Sequence, residues 1–167
     1  MLVMDASTLI LVAKMEALDV FLGDVKLEVV IPMEVEKECC GVKKSFDALM
    51  IQKAGQESKI KVVDVKNKKL VIKLRMDFGL GWGEAEAIAL AVAKRARILG
   101  IDDKNGINAC KLLGIPFTTA IAILIRMREK RLLTLSEGFA KLAALGKYGC
   151  YKQSILEDAR QKLEATT

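Results

Sequence analysis

The residues best equipped for chemistry in this chain are carboxylates. None of its 167 residues is histidine, which removes the usual general base near neutral pH and the commonest metal ligand. Acids stand where a reacting group is useful. Asp5 follows Val3-Met4, Glu84 follows the turn Gly79-Leu80-Gly81-Trp82-Gly83, Asp102-Asp103 follow Ile98 to Ile101, and Glu34, Glu36 and Glu38 follow Pro32. Several carboxylates meeting in one crevice repel and raise one another's pKa unless a cation neutralises them. Carboxylate-only coordination suits Mg²⁺ or Mn²⁺ rather than zinc. Cys39, Cys40, Cys110 and Cys150 match neither a zinc knuckle nor a disulfide framework and read as core thiols. Such ions generate hydroxide from water and clamp a phosphodiester during in-line attack, so phosphate-ester hydrolysis is the natural reaction.

Helix geometry narrows the choice among acids. At about 100° per residue, Glu84 and Glu86 point about 200° apart, so both cannot face one site. Glu84, in the first turn of a helix expected from Gly83 to Ala96, is preferred, although favourable interaction with the helix dipole explains an acid there by itself. If Val35 and Cys39 form the buried stripe of the helix after Pro32, Glu38 lies about 60° from Val35, and Glu34 and Glu36 about 100°. Glu38 is therefore the best placed to reach inward, against the alternative of a solvent-facing acidic surface.

The elements that must position these acids alternate along the chain. Val3-Met4, Leu27 to Ile31, Ile60 to Val65, Arg97 to Ile101 and Ile115 to Phe117 are strand candidates. Ser7-Thr8 are expected to cap a helix through Leu18, Pro32 to open the next, Asp102-Asp103 to precede one stopping near Gly114, and Thr118-Thr119 to cap Ala120 to Lys130. Helices over Phe46 to Gly55 and Lys66 to Phe78 are expected as an α-rich insertion around the Ile60 strand. Two final helices, Ser136 to Leu145 and Gln153 to Leu163, are expected to pack on the sheet or to form a dimer contact. This rhythm predicts an α/β fold, a three-layer α/β/α sandwich with a mostly parallel central sheet, in one domain over residues 1–167. In such a sheet, ligands collect beyond the carboxyl ends of the strands, where Asp5 and Asp102-Asp103 fall.

No apolar stretch approaches the roughly 18 residues of a membrane span, and Met1-Leu2-Val3-Met4 reads as a strand rather than a leader, so a soluble, cytoplasmic protein is expected. Lys and Arg number 27 against 21 Asp and Glu, a formal +6. That excess favours a polyanionic partner. It gathers in Lys43-Lys44, Lys59 to Arg75 and Arg126 to Arg131, where solvated helix faces are the bland alternative.

Asp5 with Ser7-Thr8, Ile31-Pro32-Met33-Glu34-Val35-Glu36-Lys37-Glu38, Gly83-Glu84-Ala85-Glu86-Ala87-Ile88 and Ile101-Asp102-Asp103-Lys104 together resemble the PIN domain family, across nearly the whole chain. The likeness is greatest to archaeal and bacterial members related to VapC toxins, whose C-terminal region Lys130-Arg131-Leu132-Leu133 and Gly146-Lys147-Tyr148 also resemble. The resemblance implies a Mg²⁺- or Mn²⁺-dependent endoribonuclease and, for toxins, an antitoxin partner that blocks the site; a homodimer is expected. Carried over by position, Asp5, Glu38 and Glu84 match the first three acids and either Asp102 or Asp103 the fourth, with Ser7 or Thr8 as the supporting hydroxyl. Lys104 and Lys111 are expected as phosphate contacts. Trp82 is expected either to stack on a base or to plug the core. Gly100-Ile101 stand where many relatives carry a threonine, which removes a hydroxyl.

Three rival functions use the same residues. A phosphoaspartyl enzyme of the haloacid dehalogenase type would use Asp5, but it wants a second Asp where this chain has Ser7, and it has no need of Glu38 or Glu84. A non-catalytic PIN-fold module binding RNA or a partner would have to hold an acidic pocket without a neutralising ion. A DNA-directed nuclease would differ only in substrate.

Overall fold

The computed structural model describes residues 1–41 and 45–165; the basic pair Lys43-Lys44 lies outside them. Five strands, β1 (Leu2–Met4), β2 (Val29–Pro32), β3 (Ile60–Val63), β4 (Ile98–Gly100) and β5 (Phe117–Thr118), form one sheet in the order β3-β2-β1-β4-β5. Every pairing is parallel, with Leu2 opposite both Val29 and Ile98. The central strands β1 and β2 are buried along their whole length and lead at once into the starts of α1 and α3, whereas the edge strand β3 is largely exposed. Leu2, Met4, Val29 and Ile31 pack into the core on one side, and Val3, Val30, Leu99 and Ile101 into the core on the other. This is the period-two alternation of a sheet covered on both faces.

The first face carries α1 (Ala6–Lys14), α2 (Leu18–Asp24), α3 (Met33–Cys40), α4 (Phe46–Gln56), α8 (Ala120–Glu129), α9 (Leu135–Tyr148) and α10 (Gln153–Ala165). The second carries α5 (Lys68–Phe78), α6 (Trp82–Lys94) and α7 (Lys104–Leu113). The fold is thus a three-layer α/β/α sandwich. Gly79 and Gly114, at φ +64° and +65°, close α5 and α7 in the left-handed conformation that glycine adopts without strain.

Several boundaries differ from expectation. The cap of the first helix is Asp5, whose carboxylate accepts from Thr8 N, and the helix stops at Lys14. A separate helix, α2, follows from Leu18, because Glu16 takes a positive φ of 55° and breaks the run. Pro32 is the N-cap of α3 rather than its first turn. The Ile60 strand and its flanking helices are no insertion: β3 is the edge of the main sheet, and α4 and α5 are its crossovers on opposite faces. Cys39 and Cys110 are core thiols and Cys40 is partly covered, but Cys150 is exposed. Among the described residues no helix is long and apolar enough to cross a membrane.

The C-terminal helices pack on the first face rather than standing free. Leu145 and Leu163 are fully buried there, and Lys141 Nζ donates to the carbonyls of Met15 and Glu16 at 3.1 and 2.9 Å, covering the open C-terminal end of α1. If residues 1–165 fold as one unit, Leu163→Ala should lower stability by about 2–5 kcal/mol in a single urea transition. Two separated transitions would make α9 and α10 an independent unit.

Candidate active site

The strand order places a topological switch between β1 and β4. From β1 the chain steps outward to β2 and β3, then returns to lay β4 on the other side of β1. Leaving these two neighbours, α1 goes to one face and α7 to the other, so a crevice opens at their carboxyl ends. Asp5 and Asp102-Asp103 are the residues that leave those strands.

Asp5 is completely buried. Its Oδ1 accepts from Thr8 N at 2.8 Å and its Oδ2 from the Ser7 hydroxyl at 2.6 Å. Neither donor is cationic. Burial dominates, partly offset by the Ser7 and Thr8 donors and reinforced by nearby Asp102, and the carboxyl is pushed up to about 7. The Thr8 hydroxyl donates to Asp102 Oδ2 at 2.9 Å, which also accepts from Ala120 N at 2.8 Å. Tyr151, in the turn between α9 and α10, donates its hydroxyl to Asp102 Oδ1. Burial raises the Asp102 pKa against these three donors.

Glu38, Glu84 and Asp5 line one cleft of about 750 Å³, together with Ser7, Ile10 and Lys37. Val35 and Cys39 are the buried stripe of α3, and Glu38 reaches across to accept from Gly83 N at 3.0 Å. A Cβ on Gly83 would come within 2.6 Å of that carboxylate, so the close approach depends on glycine. Glu84 reaches back to accept from Gly81 N at 2.9 Å. Its pKa is raised by burial first, then by the like charges of Asp103 and Glu38, while the Gly81 N–H opposes the shift. Glu86 faces elsewhere, paired with Lys68 at 2.7 Å and near Glu34 N, as the roughly 200° separation along a helix requires. Asp103 caps α7 by accepting from Gly106 N at 2.9 Å. A second cleft, of about 560 Å³, shares Ser7, Ile10 and Glu84 with the first and adds Asp102, Asp103 and Lys104.

The five acids therefore border one continuous crevice, with Glu84 on both parts. Among the described residues, no three Asp, Glu or Cys side chains stand together in a ready metal-ligating group. Each acid is instead turned onto a protein donor. The donor chemistry still fits a hard divalent cation: all the candidate ligand atoms are oxygens, and among the described residues the fully buried Asp5 carboxyl has no cationic hydrogen-bond partner.

Lys104 borders the second cleft, whereas Lys111 is in the last turn of α7. Seven residues of helix carry Lys111 about 10 Å along the axis from Lys104, so it does not join the acids. Trp82 is 47% exposed and does not plug the core; the Arg75 guanidinium covers its ring at 3.8 Å. Tyr151 was not anticipated. Its only signal in the chain is an aromatic residue just beyond the glycine that ends α9, 49 residues from the acid it binds.

Compared with protein families, residues 1–165 match the family model described as PIN domain. No curated protein matches the chain.

The raised Asp5 pKa sets a direction for stability without metal. The folded chain keeps a proton on Asp5 up to about pH 7, which an unfolded carboxyl, with its ordinary value of 3.8, has already lost. This contribution is fully present below pH 3.8 and is lost as pH rises through about 7. In chelator, the melting temperature of the native chain should fall between pH 5 and 8, and Asp5→Asn should flatten that slope. An unchanged slope in the variant would place the titration elsewhere.

Proposed function

The chain belongs to the PIN domain family, and from that membership and its acid crevice we propose that it is a Mg²⁺- or Mn²⁺-dependent endoribonuclease hydrolysing RNA phosphodiesters. PIN domains are generally nucleases that bind nucleic acid and typically use divalent metal ions. The observation that carries the finer reading is Asp5: a carboxyl without exposed surface, at the switch point, bordered by further acids and, among the described residues, bonded to the neutral donors of Ser7 and Thr8.

In this reading Asp5, Glu84 and Asp102 or Asp103 hold the ion, and the donors Thr8, Ala120 and Tyr151 fix the orientation of the Asp102 carboxylate. A bound divalent ion supplies charge neutralisation at the phosphodiester and lowers the pKa of water. Glu38, fixed by Gly83 N, is an acceptor on the opposite wall of the cleft that orients the attacking water. Ser7 fixes the orientation of the Asp5 carboxylate. Lys104, at the mouth, offers a cation to a phosphate. The most specific form of the proposal makes the chain a homodimeric toxin whose crevice an antitoxin covers; it rests on the likeness of Gly83 to Ile88 and of the C-terminal region.

The test is cleavage of matched RNA and DNA strands in Mg²⁺, Mn²⁺ and chelator. RNA should be cut internally only with metal, and Asp5→Asn should slow cleavage at least about 100-fold while retaining the native circular dichroism spectrum. Full activity in Asp5→Asn would remove Asp5 from the mechanism, and cleavage in chelator would remove the metal. A native chain on which neither metal has any effect would favour the non-catalytic binding module, and preferential DNA cutting would reassign the substrate.

A further inference from the structure

The second cleft has a wall that the proposed cleavage leaves without a task. Besides Asp102 and Asp103 it is lined by Lys14 of α1 and by Tyr148, Cys150 and Tyr151 from the end of α9 and the turn beyond. Tyr148 is the last residue of α9 and is 47% exposed. The Lys14 and Lys147 ammonium groups stand 5.0 and 5.2 Å from its ring centroid. An exposed aromatic ring with cations beside it, opening into an acid-lined crevice, is the chemistry of a nucleotide contact.

The chain on either side of this residue is held in two places. A Cβ on Gly149 would lie 2.4 Å from the Tyr151 ring and 2.9 Å from the Leu145 carbonyl oxygen. The glycine thus lets the chain turn tightly enough to lay Tyr151 against it, with the hydroxyl on Asp102. On the other side, Lys141 ties α9 to the end of α1, the helix that Asp5 begins and that carries Lys14 near its end. The C-terminal end of α9, where Tyr148 stands, is therefore anchored to both acid-bearing corners.

We propose that this wall is a subsite for the nucleotide adjoining the scissile phosphate on a single-stranded nucleic acid, with Tyr148 stacking on its base and Lys14 and Lys104 meeting its phosphate. The proposal rests on the nuclease reading of the acids, to which it adds the strand's path. An ammonium group 5 Å from an exposed ring is held more weakly than a stacked base, so the base displaces the lysine and leaves it for the phosphate. Bases inside a duplex are already stacked and are not presented to such a ring. The subsite therefore selects single strands.

Fluorescence anisotropy with a labelled single-stranded RNA, in chelator so that nothing is cut, tests this directly. Tyr148→Ala should weaken binding about tenfold or more, and Tyr148→Phe, which keeps the ring, should bind within about twofold of native. Lys14→Ala should lower the slope of log affinity against log salt by about 1. The corresponding duplex should bind more weakly than the single strand and show no dependence on Tyr148. Native affinity in Tyr148→Ala, equal losses for duplex and single strand, or no binding by the native chain would each overturn the subsite. Cleavage assays of the same proteins with Mg²⁺ or Mn²⁺ separate the two ideas. Native cutting with an indifferent Tyr148 removes the subsite alone, whereas Tyr148-dependent binding without any cutting removes the nuclease reading alone.

Discussion

The backbone N–H of Asp5 donates to the Gly100 carbonyl at 2.9 Å, joining β1 to β4 at the last position before the chain leaves the sheet. One residue later α1 begins, capped by the same residue's side chain. Asp5 therefore closes the sheet, starts a helix and places a carboxyl at the switch point. Around it runs a continuous polar relay: Ser7 and Thr8 N on Asp5, the Thr8 hydroxyl on Asp102, and Ala120 N and Tyr151 on the same Asp102. These bonds tie the β1–α1 corner to the β4–α7 corner, the start of α8 and the C-terminal turn. Moving Asp5 would disturb all of them.

The acids were legible in the chain because strand ends and helix starts leave local signatures: Asp5 and Asp103 stand where a strand end and a helix start come together, and Glu84 stands at a helix start after the glycine turn that follows α5. The choice of Glu84 over Glu86 was also legible, since it needs only the helical period, and the observed pairing of Glu86 with Lys68 agrees with it. Legibility ended where placement depended on residues far apart in sequence. Nothing near Tyr151 announces Asp102. The approach of Glu38 to Gly83 crosses 45 residues and turns on a missing Cβ. Lys111 was expected as a phosphate contact alongside Lys104, and seven positions of helix set the two about 10 Å apart along the axis. The break at Glu16 was hidden for a related reason: a positive φ in a non-glycine residue has no compositional mark.

Each principal acid of the crevice is also bonded to a helix start. Asp5 caps α1, Asp103 caps α7, Glu84 reaches back over the first turn of α6, and Glu38 binds an N–H in that same turn. Ala120 N, the first residue of α8, holds Asp102. Helix N-termini thus converge on the crevice, each offering unpaired N–H groups and the positive end of a macrodipole, worth about 0.3–1 kcal/mol to a nearby anion. A +6 chain can in this way keep an acidic pocket before any cation enters it, since capping offsets part of the mutual repulsion. The same convergence suits the crevice to a phosphate once the acids are neutralised.

This dual use determines how substitutions at the site are to be read. Replacing Asp5 or Asp103 by alanine removes a cap, at about 0.5–2 kcal/mol, together with a charge, so lost activity would mix altered folding with altered chemistry. Asparagine is as good an N-cap as aspartate, and its side-chain oxygen still accepts from the helix N–H while carrying no charge. Only the second substitution isolates what the charge contributes. At Glu38 the isosteric change to glutamine serves the same purpose, because an amide oxygen can keep the bond to Gly83 N while the affinity for a divalent ion falls. An acid retained only as a cap would tolerate the amide; one that holds a cation would not.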